Sequence, residues 1–431
     1  MAHGPVQTRD PAEAEDGPRP GMFASLAYPA YRLLWAGQAT HAFGLWMEQI
    51  ARPWLVLEIT GDNAAHVGGV VAMRTIPQLI FGLWAGVIAD WFDRKTILVA
   101  TKASVLLLNI LFAALLVTGN MTLGLIYITA FLRGSAMAFD QPARQTLIAS
   151  IVPARLLTNA VALMSSTQNI MRMLGVMSAG TAIAALGISG AFVAIAVISV
   201  FAFLATWFLD VPRNSTNKGA RGLTAMTGGM MEGFRYAVKE PVILGVLLMS
   251  LTFYTFAMSW SQVYAPIFAR QVMDIGAVGF SLIVASSAIG ALAGTLIIAS
   301  RYPKRLGLIL PLAVIGMGIS LAAFAFATYL PKPLGIIIPF AILPFVGVMQ
   351  TVYFSLSNAT MLTAAPENLR GRVVSLLSLD RAMVSAGASV GGLLAAVGGV
   401  QLAQAVYGLI VLASGILVLI FLKELREYRA P

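Results

Sequence analysis

The chain has 431 residues, of which 58% are hydrophobic and only 11% charged, against roughly a quarter charged in a soluble domain. A water-soluble globule of this size cannot hide so much apolar surface, so soluble-enzyme, disordered and collagen-like readings are excluded. With no cysteine there is no disulfide framework, thiolate metal site or cysteine nucleophile, and the net charge of +10 is better tested against membrane sidedness than against nucleic acid.

Residues 1–24 are rich in Pro, Gly, Ala and acids, lack an apolar run, and read as a disordered cytosolic tail rather than a signal peptide. Apolar segments follow at 33–57, 64–89, 96–118, 121–140, 158–186, 188–209, 242–268, 276–299, 306–328, 334–358, 372–398 and 400–422. Each is long enough to cross the hydrocarbon core as a helix. Period-two alternation is absent, which excludes a β-barrel. The expected fold class is therefore all-α integral membrane, with twelve transmembrane helices. The longest connection, 210–241, divides them six and six. It separates an N-terminal bundle (25–209) from a C-terminal bundle (242–422), and residues 423–431 form a second cytosolic tail. The end of the connection, Met230–Glu240, has amphipathic helical spacing and is expected at the membrane interface.

Odd-to-even connections are short, as at Gly119-Asn120, Gly187-Ile188 and Gly398-Gly399. Even-to-odd connections are basic: Arg94 and Lys95, then Arg144 and Arg155, then Arg213 to Lys239, then Arg301, Lys304 and Arg305, then Arg370 and Arg372. By the positive-inside rule both termini are cytosolic, which explains the basic balance without nucleic acid. The halves also echo each other. Gly82-Leu-Trp-Ala-Gly86 and Gly290-Ala-Leu-Ala-Gly294 each precede a basic pair, and Val152-Pro153 matches Ala365-Pro366. Parallel six-span repeats are a transporter architecture, with the substrate site between the halves near mid-membrane.

Ionisable groups inside spans are costly and face protein or water. In span one, Gln38, His41, Glu48 and Arg52 share an arc of roughly 80° and are expected to line an interior. Two readings of Glu48 stand side by side: a proton-exchanging acid in a cavity wall, or a permanent pair with Arg52 one turn on. Span two carries Arg74 and Gln78 one turn apart, with Arg74 a partner for Glu48 or an attractor of anionic cargo. Span four places Arg133 and Asp140 on one face, with Asp140 at the cytosolic end. Span five carries Ser165, Gln168, Asn169 and Arg172 on one stripe, and span eleven puts Arg381 on a serine face with Asp380 turned away as a second proton candidate. In span seven, Phe253, Tyr254, Phe256, Met258 and Trp260 either grip a large apolar cargo or pack and meet lipid.

The most specific motif is Gly86-Val-Ile-Ala-Asp90-Trp-Phe-Asp93-Arg94-Lys95. Gly86 permits close helix approach, Asp90 lies at the membrane edge, and Arg94 sits one turn on if the helix persists. The motif resembles the loop between helices two and three of the major facilitator superfamily. The second half keeps the glycines and basic pair but lacks the aspartate, so its gate is expected to be weaker. Resemblance extends over nearly the whole chain. Tyr31-Arg-Leu-Leu-Trp-Ala-Gly-Gln, Arg52-Pro-Trp-Leu-Val-Leu-Glu-Ile-Thr-Gly, Asp140-Gln-Pro-Ala-Arg-Gln and Leu369-Arg-Gly-Arg look like the enterobactin-exporter and macrolide-efflux branch. Span four departs from it, because Arg133-Gly-Ser lacks the Gln-Gly that follows the arginine in many proton antiporters.

The resemblance implies two pseudo-symmetric six-helix bundles in a bacterial inner membrane. It implies export driven by proton exchange and does not reveal the cargo; the expected function is export of an amphipathic small molecule such as a drug or siderophore, by a chain that works as a monomer. On this reading Glu48 and Asp380 couple protons. Gln38, His41, Arg52, Arg74, Gln78, Arg133, Gln168, Asn169, Arg172 and Arg381 face the substrate, and Gly86, Asp90, Arg94 and Asp140 form an inner gate. Uptake by proton symport and a receptor or scaffold that moves nothing are the alternatives. No phosphate loop, serine elbow or zinc-ligand spacing is present, so no cofactor, metal or enzyme activity is expected.

Overall fold

A computed structural model describes residues 21, 23–211, 234–300, 305–366, 369 and 380–429. The first half contains α1 (Pro29–Ile59), α2 (Ala64–Trp91), α3 (Arg94–Val117) and α4 (Leu123–Ile151). It ends with a run, Ala154–Trp207, that Gly187 breaks into α5 (154–186) and α6 (188–207). The second half contains α7 (Pro241–Val272), α8 (Gly276–Ser300), α9 (Leu306–Ala327), α10 (Leu334–Ala364), α11 (Asp380–Gly398) and α12 (Val400–Phe421). The amphipathic segment expected at 230–240 is described from residue 234, and the start of expected span eleven, 372–379, lies outside the described residues.

The Ala154–Trp207 run shows how one residue sets topology. Left straight, its 54 residues would extend about 80 Å, more than twice the roughly 30 Å apolar slab. Gly187 instead has φ 71° and ψ 174°, a left-handed conformation that costs glycine little, and the chain returns across the membrane. At the other end of α5, the first residue of the N-terminal bundle is docked. Ser25 donates through its backbone N and its Oγ to Asn159 Oδ1 at 3.2 and 2.8 Å.

Helix α7 is not a uniform α-helix. It widens into π turns at Phe253–Ala257, Trp260–Tyr264 and Phe268–Val272, so that Met258 N donates to Phe253 O, five residues back, at 3.1 Å. Such bulges re-aim the side chains that follow. Met258 and Gln262 come to face the opposite half, Phe253 is buried in packing, and Trp260, though buried, borders the cavity. Phe253 stacks on Tyr353 with ring centroids 4.1 Å apart. The span-seven aromatics thus divide between core and cavity.

Lipid is as apolar as the side chains, so helices in a bilayer associate through close packing rather than exclusion of water. The two halves show this at the end remote from the termini. Gly68 of α2 lies directly against the Ala388 carbonyl and Gly392 of α11, and Gly180 of α5 lies against Ala277 and Ser281 of α8. A methyl group at any of these glycines would collide with backbone or with Ser281. Asp62 pairs with Arg270 across the same seam, and Trp54 stacks on Phe280 at 6.4 Å. Between the halves lies a cavity lined by described residues of both.

This seam yields a direct test. The chain has no cysteine of its own. Asp62→Cys with Arg270→Cys should cross-link readily under mild oxidation, read as a gel-mobility shift. Adding Gly68→Leu should lower that yield several-fold, because the larger side chain wedges α2 from α11. An unchanged yield would show that the glycine contact does not hold the seam.

Candidate functional site

Helix α1 carries Glu48 at the centre of the first half, where its carboxylate is clamped from two sides. Arg52, one turn on, donates from Nε and Nη2 to Oε1 at 3.0 and 2.7 Å, and Arg133 of α4 reaches Oε2 at 2.6 Å. All three residues are at most 5% exposed. The arginines are held in turn. Arg52 Nη1 donates to Thr129 Oγ1 at 3.1 Å, and its guanidinium lies 4.4 Å from the centroid of Phe112. Arg133 Nη1 donates to Asn109 Oδ1 at 2.9 Å, and Asn109 Nδ2 donates to Ser199 Oγ at 2.6 Å. This bond network joins α1, α3, α4 and α6. The pairing with Arg52 foreseen in the sequence is present, and Arg133 rather than Arg74 supplies the second cation.

A second buried cluster sits nearer the termini. Lys102 of α3 pairs with Asp140 of α4 at 2.7 Å and approaches Gln38 Oε1 at 3.5 Å, while Arg144 lies 3.4 Å from the other Asp140 oxygen. His41 is buried within electrostatic reach of Lys102 and Asp140, and its Nε2 has no hydrogen-bond partner. Gln38 and His41, expected to face substrate, therefore pack inside the first bundle.

Two parts of the expected gate of Asp90, Arg94 and Asp140 are described. Asp140 takes Lys102 and Arg144 as ion-pair partners. The helix also does not persist from Asp90 to Arg94. Helix α2 stops at Trp91, and Asp93 caps α3 by accepting from Thr96 N and Thr96 Oγ, both at 3.1 Å. Arg94 opens α3 rather than lying one turn beyond Asp90. Gly86 and the side chains of Asp90, Asp380 and Arg381 lie outside the described residues.

Three connected spaces make up the inter-half cavity. One, of about 440 Å³, is lined by Arg74, Gln78 and Arg133 of the first half and by Tyr254, Gln262 and Asn358 of the second. A second, of about 320 Å³, runs between Arg74 and Arg172 past Gln49, Gln262 and Gln350. The third, of about 450 Å³, lies between α5 and α8 and is lined by Asn169, Arg172 and apolar residues. Arg74 Nη2 donates to Gln262 Oε1 at 2.8 Å, a bond from one half to the other, and Gln78 Nε2 donates to the Arg74 carbonyl at 3.3 Å. Arg172 lies over the Trp46 ring at 5.5 Å. Gln168 is half-buried and Ser165 is exposed.

The sequence reading passed over Lys102, Asn109, Gln49, Gln262 and Gln350. A signal existed for the first two. A lysine and an asparagine inside the apolar run 96–118 are costly unless paired. The glutamines give no such signal, since each is unremarkable until the fold turns it inward.

The chain matches the family model described as transmembrane secretion effector over residues 20–430. It is 24% identical over 371 residues to the staphyloferrin A transporter of Staphylococcus aureus, an overlap covering 85% of this chain and 89% of that protein. It is 29% identical to the multidrug efflux pump Tap of Mycolicibacterium fortuitum, with 88% and 92% covered. Its fold matches an inward-facing bacterial homologue of the iron transporter ferroportin at TM-score 0.72 and 16% identity, with 91% of this chain and 98% of that one covered.

The Asp140 cluster predicts an asymmetric response to mutation. Asp140→Ala leaves Lys102 buried and unpaired and should destabilise the protein by about 3–5 kcal/mol, the usual cost of breaking a buried ion pair. Adding Lys102→Met should recover part of that loss. Thermal unfolding in detergent compares the two, and equal melting of single and double variants would contradict the coupling.

Proposed function

This chain belongs to the transmembrane secretion effector family of the major facilitator superfamily, and on that premise we propose that it expels an amphipathic small molecule by alternating access, in exchange for protons. The observation that carries the proposal is the polar cavity between the halves, sealed at one end by Gly68, Gly180 and Gly392. The basic even-to-odd connections support cytosolic termini, and on that reading the end away from the glycine seam is the cytosolic one, the side from which an exporter loads. Closing that end and parting the glycine seam would present the same cavity to the other side. Each ligand then drives the change by binding one facing state better than the other.

Glu48 is the proposed proton-exchanging acid. Its bond to Arg133 ties α1 to α4. A proton taken up from outside would neutralise the carboxylate and cut that tie, and remaking the tie would release the proton to the cytosol. Protonated and cargo-bound forms then alternate as the species that change facing. Glu48→Gln should abolish pH-driven dye efflux from whole cells or inverted vesicles while leaving dye binding. Efflux that persists at the parental rate would remove Glu48 as the coupling acid.

Uptake by proton symport is a second reading, and one feature favours it. An anionic cargo that reached Arg133 would compete with Glu48 for the guanidinium, so that cargo and proton would be bound together. Proteoliposomes loaded with a transported dye and a pH indicator separate the two. Protons entering as dye leaves support exchange, and protons leaving with the dye support co-transport.

A further inference from the structure

Building on the transport reading, we infer that the cargo is an acid-bearing amphipath, whose anionic group is received between Arg74 and Arg172. Among the described residues, the three spaces are lined by Arg74, Arg133 and Arg172 and by no acid, and a small adjoining space beside Arg74 adds Arg52 and a single acid, Glu48. That acid is already committed to Arg52 and Arg133. Arg74 has a neutral amide for its described hydrogen-bond partner, Gln262. Arg172 has the face of Trp46, and its Nε is buried without a hydrogen-bond partner. Glu48 acts on Arg74 only at longer range, and among the described residues neither guanidinium has an acid in ion-pair contact.

Uncompensated charge in a partly dry site is costly unless a ligand supplies the counter-charge. The guanidinium fork matches a carboxylate or another oxyanion with two parallel hydrogen bonds. Arg74 on α2 and Arg172 on α5 stand on different walls of the same 320 Å³ space. One molecule with two acid groups, or one acid group shared between them, spans that space. The rest of the wall is apolar or soft. Trp46, Met258 and Phe354 suit an aromatic or aliphatic body, with Gln49 and Gln350 offering neutral hydrogen bonds. The adjoining cleft between α5 and α8 places Ile170 and Leu292, both more than half exposed, beside Arg172. An amphipath with an acid head and an apolar body fits this arrangement, and a lipophilic cation does not.

Two dyes built on one ring system test the inference. Carboxyfluorescein is an anion and rhodamine 123 a cation of similar size. Their binding to the purified full-length protein in phosphatidylcholine nanodiscs is read by fluorescence polarisation. The expected result is at least tenfold tighter binding of carboxyfluorescein, weakening as salt rises. Arg172→Gln and Arg74→Gln should each lower that affinity about tenfold, and Arg172→Lys should lower it less. Each variant is first checked for an unshifted melting temperature, and one that melts early is replaced by the lysine variant at the same position. Equal or tighter binding of rhodamine 123, binding of neither dye, or indifference to both glutamine variants would overturn the inference. Nanodiscs containing phosphatidylglycerol identify the source of the anion. Competition assigns the site to a lipid headgroup, and no competition assigns it to a soluble acid. Binding without movement in sealed vesicles would defeat the export reading and leave the charge assignment intact. Efflux confined to rhodamine 123 would do the reverse.

Discussion

A carboxylate held between two guanidiniums in the middle of a helical bundle sets much of what this protein can do. Hydrocarbon offers no counter-charge, so Glu48, Arg52 and Arg133 persist there only by satisfying one another. Their geometry is demanding. Two helices must present the three groups at bonding distance, while Asn109, Thr129 and Phe112 hold the arginines in place. The first half is therefore knit by directional polar bonds as well as by packing. A change in the protonation of one group alters the fit of several helices together.

The two halves contact each other by a different principle. Among the described residues, their seam joins small residues in near-backbone contact at Gly68, Gly392 and Gly180 with the Asp62–Arg270 ion pair and the Trp54–Phe280 stack. Such a surface packs closely yet has few groups that must be desolvated or re-bonded when it opens. Rigid bundles joined by a separable seam are what alternating access requires. The π turns of α7 add to this, because they point Gln262 at Arg74 and so lay one polar bond across the cavity itself. A molecule bound in the cavity would meet that bond directly.

The Lys102 and Asp140 cluster shows why a motif in sequence and a site in space are different things. The glycine–aspartate–arginine–lysine motif points to a gate built around Asp90 and Arg94. The break of α2 at Trp91 and the cap at Asp93 place Arg94 at the head of a new helix, and Asp140 finds its cation on the next turns of α3. The cation that answers Asp140 is a lysine inside a span rather than a charge at a helix end. Asn109, which orients Arg133, lies inside the same span.

What sequence alone determined was the part governed by the bilayer. Hydrophobic length, the charge asymmetry of the connections and the polar stripe of span one all follow from a solvent that tolerates neither bare backbone nor lone charge. Those constraints act residue by residue and are written along the chain. Tertiary structure alone decided which charge meets which: Arg133 rather than Arg74 on Glu48, Lys102 rather than Arg94 on Asp140, and Gln262 opposite Arg74. Ion pairing depends on distances of a few ångströms between helices far apart in sequence. Those distances are set by where glycines let backbones meet and where α7 widens its turns, and neither feature has a periodicity that can be read before the helices are packed.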